Sequence, residues 1–382
     1  MADRRTFLAL MLSALTVGLT VVLALFAAST LRAQSNPSLG DVVADATESH
    51  RFSLLSYELT HLPNRWLTNV AGWIAEPDLD EEAILRRWFD RADEHDRKRA
   101  ELLLERRLGR AISQLQLDTP LPLFGRVRVV WPPIDVDLSE RLHVLAVSPR
   151  DEVRMVRSVL LTSGIDREQY ERIEAAIEAD GRWSAWVGRV GGVALYPASV
   201  VSSRDYLSTL QIMAHEWTHH YLSFYPLGLA YGRGSDMRTI NETVADIVGD
   251  ELGEAAAQIP GFTPEPDDGA DERRSQIRAV TDPILRQLRL DVDALLTEDR
   301  IDEAERLMDD VRQELIELER PFRRINQAFF AFRGGYGASA ASPSPWGDRL
   351  LMLRASTASL PEFVEVVREI GSPDEADALL PP

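Results

Sequence analysis

Hydrophobic positions along the chain fall into three kinds of pattern. The first is an unbroken apolar run. No charged side chain occurs from Phe7 to Leu31, and Arg4 and Arg5 precede the run. About 20 apolar residues cross a bilayer as a helix, and basic residues before the helix favour keeping that end inside. Residues 1–33 are therefore expected to be a transmembrane anchor, or a signal peptide cut near Ala27-Ala28-Ser29. The expectation is a single-pass protein anchored in a membrane with its main part outside the cytoplasm, secreted if the segment is cleaved. Gln34 to Ser49 reads as a polar stalk.

The second pattern repeats every three to four residues, the period of one helical face. Ile84, Leu85, Trp88, Phe89 and Ala92 mark it within a helical stretch from Phe52 to Gln116. The same reading predicts helices over 149–161, 166–180, 205–224, 237–254 and 360–370. Two longer ones, over 274–296 and 301–332, are joined by Thr297-Glu298-Asp299-Arg300 as a hairpin. The third pattern is alternation of β-branched and polar residues, over Arg126–Trp131 and Arg141–Pro149. Ser184–Val201 is predicted to be two strands joined through Arg189-Val190-Gly191-Gly192. Together these give a mostly helical α+β fold with a small antiparallel edge sheet. Residues 34–124 form a linker and N-terminal helical region, 125–260 a central core carrying the chemistry, and 261–382 a C-terminal helical domain.

Composition narrows the chemistry. The net charge is −19, from 61 acidic and 42 basic side chains, so nucleic acid is not an expected partner. There is no cysteine, which excludes disulfides, thiolate metal sites and cysteine nucleophiles. A metal here must be held by histidines and carboxylates.

Such a set is present. His215-Glu216-Trp217-Thr218-His219 lies in a predicted helix. Residues four apart share a helical face, so His215 and His219 can grip one ion. Glu216 lies about 100° round the helix, beside the ion without being a ligand, where it can act as a general base. Leu207, Leu210, Ala214, Trp217 and Tyr221 form an apolar stripe on the back. In the next predicted helix Glu242 and Asp246 are again four apart, opposite Ile240, Val244, Ile247, Val248 and Leu252. Ala245 and Gly249 are small enough to let the two helices approach. A catalytic zinc commonly takes three protein ligands and leaves one position open, and two histidines with a glutamate are one standard set. Glu242 is the natural third ligand, and Asp246 is suited to accept a hydrogen bond from a ligating imidazole and fix its tautomer.

His215-Glu216-Trp217-Thr218-His219 followed by Asn241-Glu242-Thr243-Val244-Ala245-Asp246 resembles the gluzincin zinc metallopeptidases, on their thermolysin-like side. The resemblance spans residues 184–253. It implies zinc held by His215, His219 and Glu242, Glu216 as general base, and Asp246 as partner of a ligating histidine. It also implies a zincin-like catalytic core, a peptide or protein substrate, and an edge strand lining the cleft, for which Gly191–Val200 is placed. Tyr231, in a segment like the one that joins the family's two helices, is implied to face the site. Two features depart from the family. Thermolysin-like members supply a later histidine to the oxyanion, and no histidine follows His220 here. Other gluzincins use a tyrosine, and Tyr336 is the only tyrosine after Tyr231, so it takes that role as a hydrogen-bond donor. The acidic residue with which aminopeptidase members bind a free amine has no counterpart in Gly191–Pro197. The competing readings are a catalytically inactive gluzincin-like module that binds partners at the membrane, and a helical scaffold with an incidental motif. His50, His61, His95, His143 and His220 are expected to be structural or solvated, and the loop of Asp267, Asp268, Asp271 and Glu272 to be solvated rather than a calcium site.

Overall fold

The computed structural model describes residues 38–53, 56–57, 80–91, 94–120, 128–201, 205–265, 269–337 and 339–381. The predicted membrane segment, His61, Asp267 and Asp268 lie outside them. Among the described residues no helix is long and apolar enough to cross a membrane. The chain divides into two compact units between Ser49 and His50. In the first, α1 (Leu39–Thr47) occupies much of the predicted stalk. Ser38 and Asp41 form a capping box at its start, satisfying N–H groups that helical period alone does not reveal.

The second unit is a mostly helical α+β fold, as its hydrophobic patterning predicts. Helices α2 (Glu81–Arg91) and α3 (Arg97–Gln114) are followed by a two-strand pair, β1 (Thr119–Pro120) with β2 (Arg128–Val129). Next come β3 (Val136–Ser139), β4 (His143–Pro149), β5 (Arg157–Leu161), α4 (Arg167–Glu178), β6 (Trp183–Arg189), β7 (Gly192–Val193) and β8 (Ala198–Val201). The rest is helical: α5 (Tyr206–Leu222), α6 (Pro226–Leu229), α7 (Ser235–Ala257), α8 (Ala270–Thr297), α9 (Ile301–Glu317), α10 (Gln327–Arg333), α11 (Trp346–Ser356), α12 (Leu360–Val367) and α13 (Pro373–Leu379).

Two three-stranded sheets organise this unit. One runs β5-β4-β6 and is antiparallel throughout; the other runs β3-β8-β7, with β3 parallel and β7 antiparallel to β8. One apolar cluster joins Leu85, Leu104 and Ile112 of α2 and α3 to Val200 of β8, Leu210 and Met213 of α5, Val244 and Val248 of α7, and Leu350 and Phe363 of α11 and α12. Each large apolar side chain so buried contributes about 1.5–3 kcal/mol. Arg107 is fully buried among them, paired with Glu81 and donating from Nη1 to the Ile259 carbonyl at 2.7 Å, so its charge and its donors are compensated. A second cluster packs Val144, Ala146 and Trp186 of the antiparallel sheet on Leu288, Val292, Met308, Phe329 and Phe330 of α8 to α10.

Several local expectations are corrected. Residues 149–161 are not a helix: Arg157–Leu161 is an edge strand paired with β4 from His143 to Val147. β4 is buried along its length and takes partners on both edges, and this tertiary pairing overrides the helical period of its neighbour. The turn predicted at Arg189–Gly192 does not join paired strands. The chain passes there from one sheet to the other, and the hairpin is β7 with β8. The helix predicted over 301–332 ends at Glu317, where Glu319 takes a left-handed φ of 62° and Pro321 follows. Helix resumes at Gln327, with the Asn326 side chain accepting from the Phe329 N–H at 2.9 Å. The glycine- and serine-rich stretch 333–347 reads from sequence as loop, but its last two residues begin a further helix, Trp346–Ser356. Leu207, placed in the apolar stripe of α5, is exposed, whereas Leu210, Ala214, Trp217 and Tyr221 are buried.

Candidate metal centre

The site grows from the contact between α5 and α7. Asp205 starts α5, its Oδ1 accepting from the Ser208 N–H at 2.7 Å. Trp217 anchors the back of α5, donating from Nε1 to the Pro132 carbonyl at 2.9 Å. The front meets α7 at two glycines. A Cβ on Gly253 would lie 2.7 Å from the Gln211 Cα, and one on Gly249 would lie 3.0 Å from the Gln211 carbonyl oxygen and 3.1 Å from the His215 Cβ. Any side chain at Gly253 would push the helices apart, so glycine sets the spacing at which side chains on the two helices meet.

At that spacing three ligand atoms converge. His215 Nε2 and His219 Nε2 are 3.0 Å apart, and each is 3.5 Å from Glu242 Oε2. The other ring nitrogens are committed. His215 Nδ1 is 3.0 Å from Asp246 Oδ1, and His219 Nδ1 is 2.9 Å from Asn241 Oδ1. Both partners only accept, so each Nδ1 carries the proton and each neutral imidazole presents a bare lone pair at Nε2. The Asn241 amide is held by Nδ2 donating to the Leu227 carbonyl at 3.3 Å. Glu242 Oε1 accepts from the Tyr231 hydroxyl at 2.6 Å, while the buried Oε2 has no hydrogen-bond partner. With both imidazoles neutral, two lone pairs and a carboxylate oxygen face one another with no donor between them, which buried polar atoms do not tolerate unless a cation is shared. A point equidistant from atoms 3.0, 3.5 and 3.5 Å apart is about 1.9 Å from each, close to the roughly 2.0–2.2 Å of zinc bonds to imidazole and carboxylate. The residues present therefore fit a zinc ion.

The electrostatics agree. Burial disfavours charge on Glu242, but the positive pull of His219, with His215 beside it, outweighs it and holds this carboxyl well below the usual range. Burial likewise opposes charge on His215, yet Asp246 and Glu242 raise its pKa well above that of a free imidazole. Positive charge is thus favoured at this point. Glu216 is buried beside the three atoms, and burial raises its pKa, with the neighbouring imidazoles opposing.

A cleft of about 350 Å³ opens on this centre, lined by His215, Glu216 and Asp246 on one side, Gly191 and Gly192 on another, and Tyr336 on a third. β7 is the edge of its sheet, and a Cβ on Gly192 would overlap the Glu216 carboxylate, so this glycine lets the strand pass directly over it. Tyr336 has its ring centroid 6.5 Å from that of His215. Its loop is tied to α7 by the Gly337 N–H donating to Thr243 Oγ1 at 3.0 Å. Burial, then the charges of Glu242 and Glu216, raise the Tyr336 pKa well above that of a free phenol, so it stays protonated. Tyr231 is raised in the same way by burial and Glu242.

The structure thus brings His215, Glu216, His219, Glu242, Asp246 and Tyr336 to one place. His220 lies apart, edge-on to Tyr196 with ring centroids 5.6 Å apart, and its pKa is lowered by burial. His143 is a buried residue of β4, bonded through Nδ1 to the Thr162 carbonyl at 2.8 Å. Asn241, part of the motif but given no role from sequence, lies five residues before Asp246 on the same helix and holds the second imidazole. The sequence reading also left out Arg189 and Arg333, which line the cleft. No family model, curated protein or solved structure matches the chain.

Proposed function

We propose that this protein is a zinc-dependent peptidase of the gluzincin type, acting on peptide or protein substrates. The observation that carries this reading is the meeting of three acceptor atoms, on His215, His219 and Glu242, with no donor among them, directly beside Glu216 and an open cleft. When bound, zinc would polarise the attacking water and the scissile carbonyl. Glu216 accepts the water proton and returns it to the departing amine. Asp246 and Asn241 keep both imidazoles in the tautomer that leaves Nε2 bare. Tyr336 donates to the oxygen on which charge develops. The open edge of β7 is suited to align an extended peptide across the cleft. The uncharged run from Phe7 to Leu31 supports placing this activity outside the cytoplasm, at a membrane or secreted.

The test is a digest of a diverse peptide library by the full chain and by Glu216→Gln, read by mass spectrometry. Cleavage by the parent should fall about 10²–10⁴-fold in the variant, the usual contribution of a general base, with zinc retained. Equal cleavage by both would sink this mechanism. Bound zinc with no cleavage of any peptide would favour a binding module.

A further inference from the structure

The cleft does not end at the metal centre. It continues past Arg189 and Arg333 into a larger groove of about 780 Å³, and these two residues line both spaces. Among the described residues the groove is lined by seven arginines and one carboxylate, Glu319, in a chain whose net charge is −19. Several of the seven are neutralised: Arg320 pairs with Asp282, and Arg323 and Arg324 pair with Glu174. Arg189, Arg278 and Arg333 have no carboxylate partner among the described residues, and all three are exposed. Arg333 sits with its guanidinium over the rings of Trp186, at 5.8 Å, and Phe332, at 5.9 Å. Although part of the side chain is open to solvent, burial of its guanidinium lowers its pKa, and only Tyr336 acts in the other direction. It is a crowded cation with donors directed at no acid, beside the proposed oxyanion donor. The opposite wall holds Glu216, Asp246 and Asp250. A substrate carboxylate is repelled by that wall and accepted by this one.

Resting on the peptidase reading above, we infer that the groove selects acidic peptides. A glutamate or aspartate side chain, in the substrate segment that leaves the cleft past Arg189, pairs with Arg333. The planar guanidinium forms two parallel hydrogen bonds to a carboxylate, and its aromatic supports keep it oriented for that purpose.

The probe is a set of labelled peptides, identical except for Glu or Gln at each position in turn, bound to the full-length, zinc-loaded Glu216→Gln variant and read by fluorescence anisotropy. At one position the Glu peptide should bind about tenfold more tightly than its Gln twin, a difference of 1.4 kcal/mol. Arg333→Gln added to this background should shrink the ratio to about twofold, and Arg333→Lys should restore part of it, since the charge returns without the planar fork. Arg189→Gln, at an exposed position, should lower the ratio about threefold, within the range of a single solvent-exposed ion pair. Equal binding of Glu and Gln peptides, or a ratio that survives Arg333→Gln, overturns the inference. Cleavage of peptides without acidic preference leaves the peptidase reading standing and removes this one. Acid-selective binding that depends on Arg333, with no peptide cleaved by the unmutated chain, does the reverse.

Discussion

On one wall of the cleft His215, His219 and Glu242 stand on two helices drawn together at Gly249 and Gly253; on the other, Tyr336 and Arg333 come from the end of α10 and the loop after it. The first wall rests on the larger apolar cluster and is completed by Asp246 and Asn241 from the helix that also bears Glu242. The second belongs with the smaller cluster around Trp186, Phe329 and Phe330, and meets α7 through the Gly337 N–H and Thr243 Oγ1. The difference separates two tasks. Ligand geometry is set within one helix pair, so it should survive damage to the opposite wall. On the proposed function, stabilisation of developing charge and choice of substrate would depend on a segment docked from far along the chain.

Substitutions that touch only one wall can break this division. Tyr336→Phe should lower kcat about 10²–10³-fold, the usual cost of removing one oxyanion donor, while zinc affinity measured by competition with a chelator stays the same. Unchanged turnover would remove Tyr336 from the chemistry, and lost zinc would show that the walls are not separable. Asp246→Ala should do the opposite. It removes the acceptor that fixes the His215 tautomer and should weaken zinc binding about 10–100-fold. Activity should be recovered at saturating zinc to a far greater extent than for Tyr336→Phe. If zinc affinity is unmoved, the contact between His215 Nδ1 and Asp246 contributes nothing to holding the ion.

The same contrast explains what the sequence could convey. The helix pair was legible because its information is local. Apolar residues recur at helical spacing on the backs of α5 and α7, and the functional residues stand one turn apart on their fronts. Asn241 stands in the motif but received no role, because an amide beside a carboxylate is not distinctive until His219 Nδ1 is seen 2.9 Å away. The second wall was legible only at Tyr336, through the lack of any later histidine. Arg189 and Arg333 look like any arginines at an element end, and only the meeting of β6, α8 and α10 around one groove sets them apart. The strand errors have the same origin. Arg157–Leu161 is a strand because β4 needs a partner on that edge, and Trp183–Arg189 joins β4 rather than β8 because of pairings made across long stretches of chain. Neither is recorded in the local period of those segments.

The most direct test of the central claim, that His215, His219 and Glu242 together hold one zinc, is metal content combined with X-ray absorption at the zinc edge on the full-length chain. The account predicts one zinc per chain, with two imidazoles and light-atom ligands at about 2.0–2.2 Å, the range for zinc bound by histidine and carboxylate. It also predicts near-complete loss of zinc in His219→Ala and Glu242→Ala. Sub-stoichiometric zinc after metal loading, or one zinc per chain that persists in both variants, would contradict it.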